Sequence, residues 1–569
     1  MLRRPSSERL LRALLLGVVA CLAVRGLFAA SWFESHEAAS YPARVVEVLQ
    51  CWEDGMPSAR WFPDLAGGRG YPFLSFYAPG LFFAAAALAK AGLGVAGGLK
   101  AVTILAALLG TVGAYRLARM GCGSPCALVA ASLYTHAPYL LRDLWVRGDL
   151  AEYLALGILP WAIRAVIRLA LGEASGTRAI LSAAGWVAAV ALTHNVAGLL
   201  AGGALAIATM VALAPAGPER GRRFAATVLA GVVALLLSAF FWVPALAERA
   251  WVRLDALRSG IFDVNRNFVG FADLLKWEGA ERVFVPGSAE EMAFGLGAAL
   301  VVLPTALLAL RQADAGRRLV VALGAALLLA GVVMATPLSR PLYGSVPLLS
   351  YVGFPWRFLS LASLGAALLG AAGLAGLLSG RPRLRVAVCG VVCCGTVVVA
   401  QDLSRPVAPL DLTPRLLDPV AYRSGDFTAT SADEYLPVWV TASTEPPFHD
   451  GVWIDGRARL RKVERLAARW TMEIETTGPA TVVLREYFYP GWEGVDRGRA
   501  VPVRPVQGSG FVAFDLPAGE WREVSVRLHP RSARRTARCI SALTALVALV
   551  ALSVSFRRSL CRRPTAGPS

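Results

Sequence analysis

Three side chains able to do acid–base chemistry, Glu34, His36 and Glu37, come directly after the apolar run Leu10–Ala30. An acid in this position can act as a general base toward an acceptor hydroxyl, or ligate a divalent cation. Partial desolvation at a membrane edge would raise its pKa, which suits a base. A solvated loop carrying the same residues would do no chemistry. The residues downstream favour function: Trp52, Arg60-Trp61-Phe62-Pro63 and Gly67-Gly68-Arg69-Gly70-Tyr71-Pro72 make the stretch from Glu34 to Tyr77 long, aromatic and glycine-rich. Long ordered loops of this kind tend to carry function. The stretch is expected to form the roof and catalytic wall of a site at the membrane surface.

Three further groups could complete such a site. The segment RDLWVRGDLAE contains Arg142, Arg147, Asp149 and Glu152 between apolar runs. Arginines alone would anchor a span, but interleaved acids point to a salt-bridged site or a phosphate clamp. His194-Asn195 lies in the middle of a long apolar run, where a polar pair is costly unless it lines a cavity. Trp356-Arg357 opens another run, and a cation at a helix start is unfavourable unless it meets an anion. The bland alternatives are a structural ion pair, a satisfied core histidine and an interfacial anchor. Glu248, after the aromatic-belt residue Trp242, is less easily explained by an anchor.

The elements that must position these residues can be read from composition. Of 569 residues 56% are hydrophobic, and the mean hydropathy is +0.54. The apolar residues come in blocks that can cross a hydrocarbon core, which predicts a polytopic α-helical membrane protein of about twelve spans. The runs fall at 10–30, 73–92, 99–118, 125–141, 150–171, 180–214, 224–243, 293–311, 318–335, 357–379, 384–401 and 538–556. The net charge of +18 resides largely in short Arg clusters between runs, as the positive-inside bias requires, and is not a nucleic-acid footprint. Alternation through the second half places segments 244–292, 336–356 and 402–537 outside. The run 180–214 reads as one broken helix or two short ones; two would break the alternation unless an earlier run does not cross.

Segment 402–537 changes character. Strand-like stretches separated by turn residues predict an extracytoplasmic β-sandwich before the last span. The expected organisation is a transmembrane domain over 1–401 with a long first external loop at 31–72, the β-rich domain at 402–537, and a final span with a basic cytoplasmic tail at 538–569. The nine cysteines avoid the polar segment, so no disulfide framework is expected there. The chain has no GxxxxGK[ST], HExxH or GxSxG motif, which argues against an ATP-driven pump or a zinc protease.

Several motifs together resemble one family. They are Glu37-x3-Tyr41-x2-Arg44, Arg60-Trp61, Pro63-Asp64, Gly67-Gly68-x-Gly70-Tyr71-Pro72, Phe76-Tyr77-x-Pro79, Arg147-Gly148-x3-Glu152, His194-Asn195, Phe354-Pro355-Trp356-Arg357, Glu434-Tyr435-Leu436-Pro437 and Tyr489-Pro490-Gly491-Trp492. The set resembles the bacterial membrane proteins called 6-pyruvoyl-tetrahydropterin synthase-related, whose membrane region looks like the glycosyltransferase C superfamily. The resemblance implies an inner-membrane, multi-pass glycosyltransferase that takes a sugar from a polyprenyl-phosphate donor to an envelope glycan or glycoconjugate acceptor on the outer face. It implies Glu37 as catalytic base or metal ligand, supported by Glu34 and His36. Arg44, Tyr41, Arg147, Asp149, Glu152, His194, Asn195, Trp356, Arg357 and Tyr435 are the implied substrate-binding residues. It allows a divalent cation; no nucleotide or pterin is expected. The family's first loop usually carries Asp and His where this chain has Glu37 and Tyr41, which leaves metal use open. The alternatives are a non-enzymatic transporter of lipid-linked glycans or an envelope assembly factor, and a receptor whose β-domain does the work.

Overall fold

The computed structural model describes residues 7–275, 296, 313–406, 408–410, 417–418, 430, 432–519 and 521–561. Among these, nine helical stretches are long and apolar enough to cross a membrane. The expected span 293–311 lies outside the described residues. The protein is a polytopic helical bundle followed by a β domain, with a last helix, Ser532–Cys561, after the sheet.

Two departures from the expected spans remove the conflict in the alternation. The run 73–92 is not a single helix of span length. It breaks into helices Phe73–Phe76 and Gly80–Leu88, and the second, at 1.5 Å per residue, reaches only about 14 Å. Gly92 and Gly94, at φ of 107° and 68°, turn the chain back, so that Gly98 of the next helix, Gly94–Ala118, lies against Ala85. The run 180–214 is two helices, Gly176–Thr193 and Asn195–Leu213, joined at an extended His194. His194 therefore sits not at mid-membrane but in a tight turn. That turn lies beside the start of helix Leu150–Leu171, at the end of the bundle facing the β domain. Basic groups at Arg220–Arg223, Arg317-Arg318, Arg381–Arg385 and Arg557 fall at the opposite end.

The strands expected as a β-sandwich form a single seven-stranded antiparallel sheet curled toward closure. The cause is one long strand, Arg469–Tyr487. One edge pairs along its length with Val452–Leu466. The other pairs first with Trp521–Leu528, then with Phe511–Leu516. Thr477-Gly478-Pro479 marks the switch of partner, and register shifts in the facing strand bend the sheet there. One continuous sheet cannot flatten into two layers around such a bend.

The first loop is the layer between bundle and sheet. Helix Ser40–Glu53 packs on the bundle, while Asp54–Tyr71 meets the sheet. The buried Glu486 carboxylate accepts from Trp61 Nε1 (2.7 Å), Trp470 Nε1 (2.9 Å) and Arg465 Nε (3.1 Å), and Arg465 also donates to the Pro63 carbonyl (2.6 Å). Gly70, at φ 80°, leaves room for this knot: a Cβ there would lie 2.1 Å from Glu486 Oε1. The loop is thus covered by the β domain rather than forming an outer roof.

Candidate functional site: a charged cluster under the first loop

The site is built where the first loop meets the connection 143–149. Trp32-Phe33 pairs with Pro409-Leu410, which fixes the loop's entry. The chain then runs beside residues 146–147: His36 N–H donates to the Val146 carbonyl (3.1 Å) and Glu37 N–H to the Arg147 carbonyl (2.9 Å). The approach is close enough that Gly148, at φ 69°, admits no side chain; a Cβ would lie 1.9 Å from Ser35 Oγ.

Asp149 caps helix Leu150–Leu171, accepting from Glu152 N–H at 3.0 Å. The same carboxylate accepts from Tyr41 Oη at 3.0 Å and lies 3.1 Å from Arg147 Nη2, 3.4 Å from His194 Nε2 and 3.8 Å from Arg357 Nη2. Glu152 meets Arg147 Nη1 and Arg357 Nε, each at 3.1 Å, and accepts from Tyr139. Asp143 pairs with Arg147 one helical turn away. Trp356 closes one side, with the Arg147 guanidinium 4.7 Å from its ring. Arg44 stacks at 4.5 Å on Phe73, and Tyr435 stacks on Phe76.

Glu37 differs from its neighbours. It is half-buried, and among the described residues no side-chain hydrogen bond or ion pair engages its carboxylate. Burial raises its pKa, as does the charge of Asp149, while Arg44, Arg147 and Arg357 pull the other way. Burial would also raise Asp149, but His194, Arg147 and Arg357 outweigh it and hold that acid well below the usual range. Asp143 is raised by burial and by Glu152. The cluster therefore sets an open acid of raised pKa beside Asp149, which is held low, a contrast that suits a general base.

Not every expected residue joins it. Glu34 and His36 are exposed and stand outside the cluster. Asn195 donates to the Phe76 carbonyl (2.6 Å) and accepts from Ala78 N–H (3.1 Å), so its amide is a latch on the loop rather than a ligand for substrate. Arg147 and Arg357 meet carboxylates of the protein, not an open space for phosphate. Asp143 and Tyr139 complete the cluster without having been singled out, and Tyr77, quoted only within a motif, joins them. Asp143 had a signal: it precedes Arg147 by four residues, one turn of helix.

Asp149, Glu152 and His194 bring ligand atoms within 4.8 Å of one another, close enough to test for a cation. The donors do not fit one as arranged. His194 Nδ1 accepts from Ala197 N–H (3.1 Å), which leaves the proton on Nε2, the nitrogen facing Asp149. The two carboxylates are already engaged by arginines.

Fold and site together define a multi-pass membrane protein with a charged cluster buried between its helical bundle and its β domain. The chain belongs to the 6-pyruvoyl-tetrahydropterin synthase related domain family of membrane proteins, whose match runs over residues 74–404, more than half of the chain. No curated protein matches it. Among solved structures it is similar to the arabinofuranosyltransferase AftD from Mycobacteria, at 20% identity and TM-score 0.47, covering 71% of this chain and 28% of that one. It is also similar to the oligosaccharyltransferase of Archaeoglobus fulgidus, at 13% identity and TM-score 0.42, over 72% of this chain and 57% of that one. A third likeness, to ArnT from Cupriavidus metallidurans bound to undecaprenyl phosphate, has 15% identity and TM-score 0.30 over 66% and 79% of the two chains. The chain spans little more than a quarter of AftD. All three scores lie below 0.5.

Proposed function

We propose that this protein is a glycosyltransferase acting at the outer face of a bacterial inner membrane, with Glu37 as general base. One observation carries the reading: Glu37 is the carboxylate of the cluster left without an ion pair among the described residues, and its backbone is pinned to Arg147. A polyprenyl-phosphate sugar is the donor and an envelope glycan or glycoconjugate hydroxyl the acceptor. The hydroxyl oxygen attacks the anomeric carbon, Glu37 takes its proton, and the bond from that carbon to the phosphate oxygen breaks with its electron pair leaving on the lipid phosphate. Attack opposite the leaving group inverts the anomeric centre. Arg147 and Arg357 act as positioning residues, holding Asp149 and Glu152 ionised beside the base. Tyr435 and the segment around it, from the unit 402–537, lid the acceptor side.

The test is genetic and chemical. A strain lacking the protein is complemented with wild type or Glu37→Gln, and lipid-linked sugars and envelope glycans are compared by mass spectrometry. Transfer requires that Glu37→Gln accumulate the lipid-linked sugar as the deletion does, at normal protein level. Full complementation by Glu37→Gln would overturn the catalytic reading and leave a carrier or assembly role.

A further inference from the structure

A second basic site lies apart from the Glu37 cluster, across the short helix Phe73–Phe76. On one side of that helix Tyr77 faces Asp149; on the other Ser75 accepts from Arg534 at 2.9 Å. Beyond Ser75 a cavity of about 290 Å³ opens between the first loop, the base of the sheet and the start of the last helix. Its lining includes Arg60, Arg469, Arg527, Arg534, Arg538 and a single acid, Asp54.

Arg534 is paired with Glu248, but the other arginines are poorly compensated. Arg60 is 5% exposed, and its Nη1 has no hydrogen-bond partner although Nη2 is satisfied by the Phe240 carbonyl. Arg469 and Arg527 stand directly opposite on paired strands, a placement that costs stability for like charges. Neither they nor Arg538 makes an ion pair among the described residues. Arg534 and Arg538 are one turn apart in the first two turns of a helix, where the dipole already disfavours cations. The acids in reach do not balance this. Asp54 accepts from Ala467 N–H (2.7 Å), Glu248 is committed to Arg534 and Tyr489, and Glu493 stands opposite Arg527 in the strand register with no hydrogen bond or ion pair to it among the described residues. Burial, Arg534 and Arg538 together lower the Arg60 pKa to about 9.

We propose that this pocket binds a phosphate group at the membrane boundary, tying the first loop, the β domain and the last span to one anion. A buried guanidinium with a free N–H, ringed by further arginines, is the arrangement that recognises phosphate oxygens. The pocket lies at the start of the last helix, whose stretch Ser532–Arg557 is apolar and long enough to cross a membrane, so a lipid head group and a soluble phosphate are the two sources to separate. This reading does not depend on the function of Glu37.

The experiment uses the full chain, wild type and Arg469→Gln/Arg538→Gln, whose side chains are exposed and unpaired among the described residues, with Arg499→Gln as control. Native mass spectrometry measures retained phosphatidylglycerol, and thermal shift is read in phosphatidylglycerol or phosphatidylcholine nanodiscs and in detergent with inorganic phosphate. Retention is expected to fall about five-fold per arginine removed. Stabilisation by phosphatidylglycerol alone identifies the anion as a lipid head group; equal stabilisation by inorganic phosphate identifies a soluble one. No stabilisation by either, or equal losses in Arg499→Gln, would overturn the proposal. Glu37→Gln is expected to keep wild-type retention, so failure of the catalytic reading leaves this one standing.

Discussion

The backbone N–H of Glu37 donates to the carbonyl of Arg147 at 2.9 Å, which ties the open acid to the backbone of the arginine that organises the buried acids. Position, not charge alone, makes Glu37 the candidate base. Replacing Glu37 by Gln keeps that backbone bond and removes the proton acceptor. Loss of a positioned general base costs about 10²–10⁴ in rate. Sugar transfer is expected to fall in that range while protein level and Tm hold; a drop in Tm with transfer retained would reverse the assignment.

The pH profile depends on the same residue. A base must be ionised, and the Glu37 pKa is raised, first by burial and then by Asp149. The acid limb of kcat is therefore expected at higher pH than the ordinary glutamate value of about 4.3. Removing the Arg357 charge takes away one influence that lowers it, so Arg357→Gln is expected to move the limb further up in pH. A limb that moves down, or stays, in Arg357→Gln would show that another group titrates.

Gly148 tests the docking. Its φ of 69° and the 1.9 Å approach of Ser35 Oγ leave no room for a methyl group. Gly148→Ala is expected to destabilise the protein by roughly 1–3 kcal/mol from backbone strain alone, with transfer lost as the loop lifts from residues 146–147. Adding Ser35→Ala removes the shortest contact but leaves the Ala38 backbone nitrogen at 2.8 Å and the strain, so it should restore only part of the Tm. Full activity in Gly148→Ala would mean that the close approach is not required.

The sequence made some of this legible and hid the rest for physical reasons. The bundle was readable because twenty-odd apolar residues have few uses outside a bilayer. Glu37, Asp149 and Glu152 stood out because acids at span edges are costly. Four features were not readable. Hydropathy cannot distinguish the short Gly80–Leu88 from a span, since both are apolar; only Gly92 and Gly94 mark the return. His194 looked deep because no glycine or proline signals its turn. Asn195 looked chemical because its work, holding the backbone at Phe76 and Ala78, depends on a neighbour 117 residues earlier in the chain. The curl of the sheet likewise depends on which strands share Arg469–Tyr487, and pairing leaves no local trace.

Glu486 offers the last test, one of stability rather than catalysis. It is fully buried in the knot that joins the first loop to the sheet, and burial raises its pKa against the opposing pull of Arg465 and its two tryptophan donors. A carboxyl whose folded pKa exceeds its unfolded value binds its proton more tightly when folded. Its contribution is thus fully present below the unfolded value of about 4.3 and is lost as pH rises through the raised folded value. In Glu486→Gln that dependence should vanish, because the amide does not titrate. The variant also weakens the bond to Arg465, at a cost of about 1–3 kcal/mol. The difference in Tm between wild type and Glu486→Gln is therefore expected to be largest at the acid end of the range and to shrink as pH rises through the weakly acidic region. A difference that grows with pH would place the folded pKa below the unfolded one, with Arg465 rather than burial dominating the site.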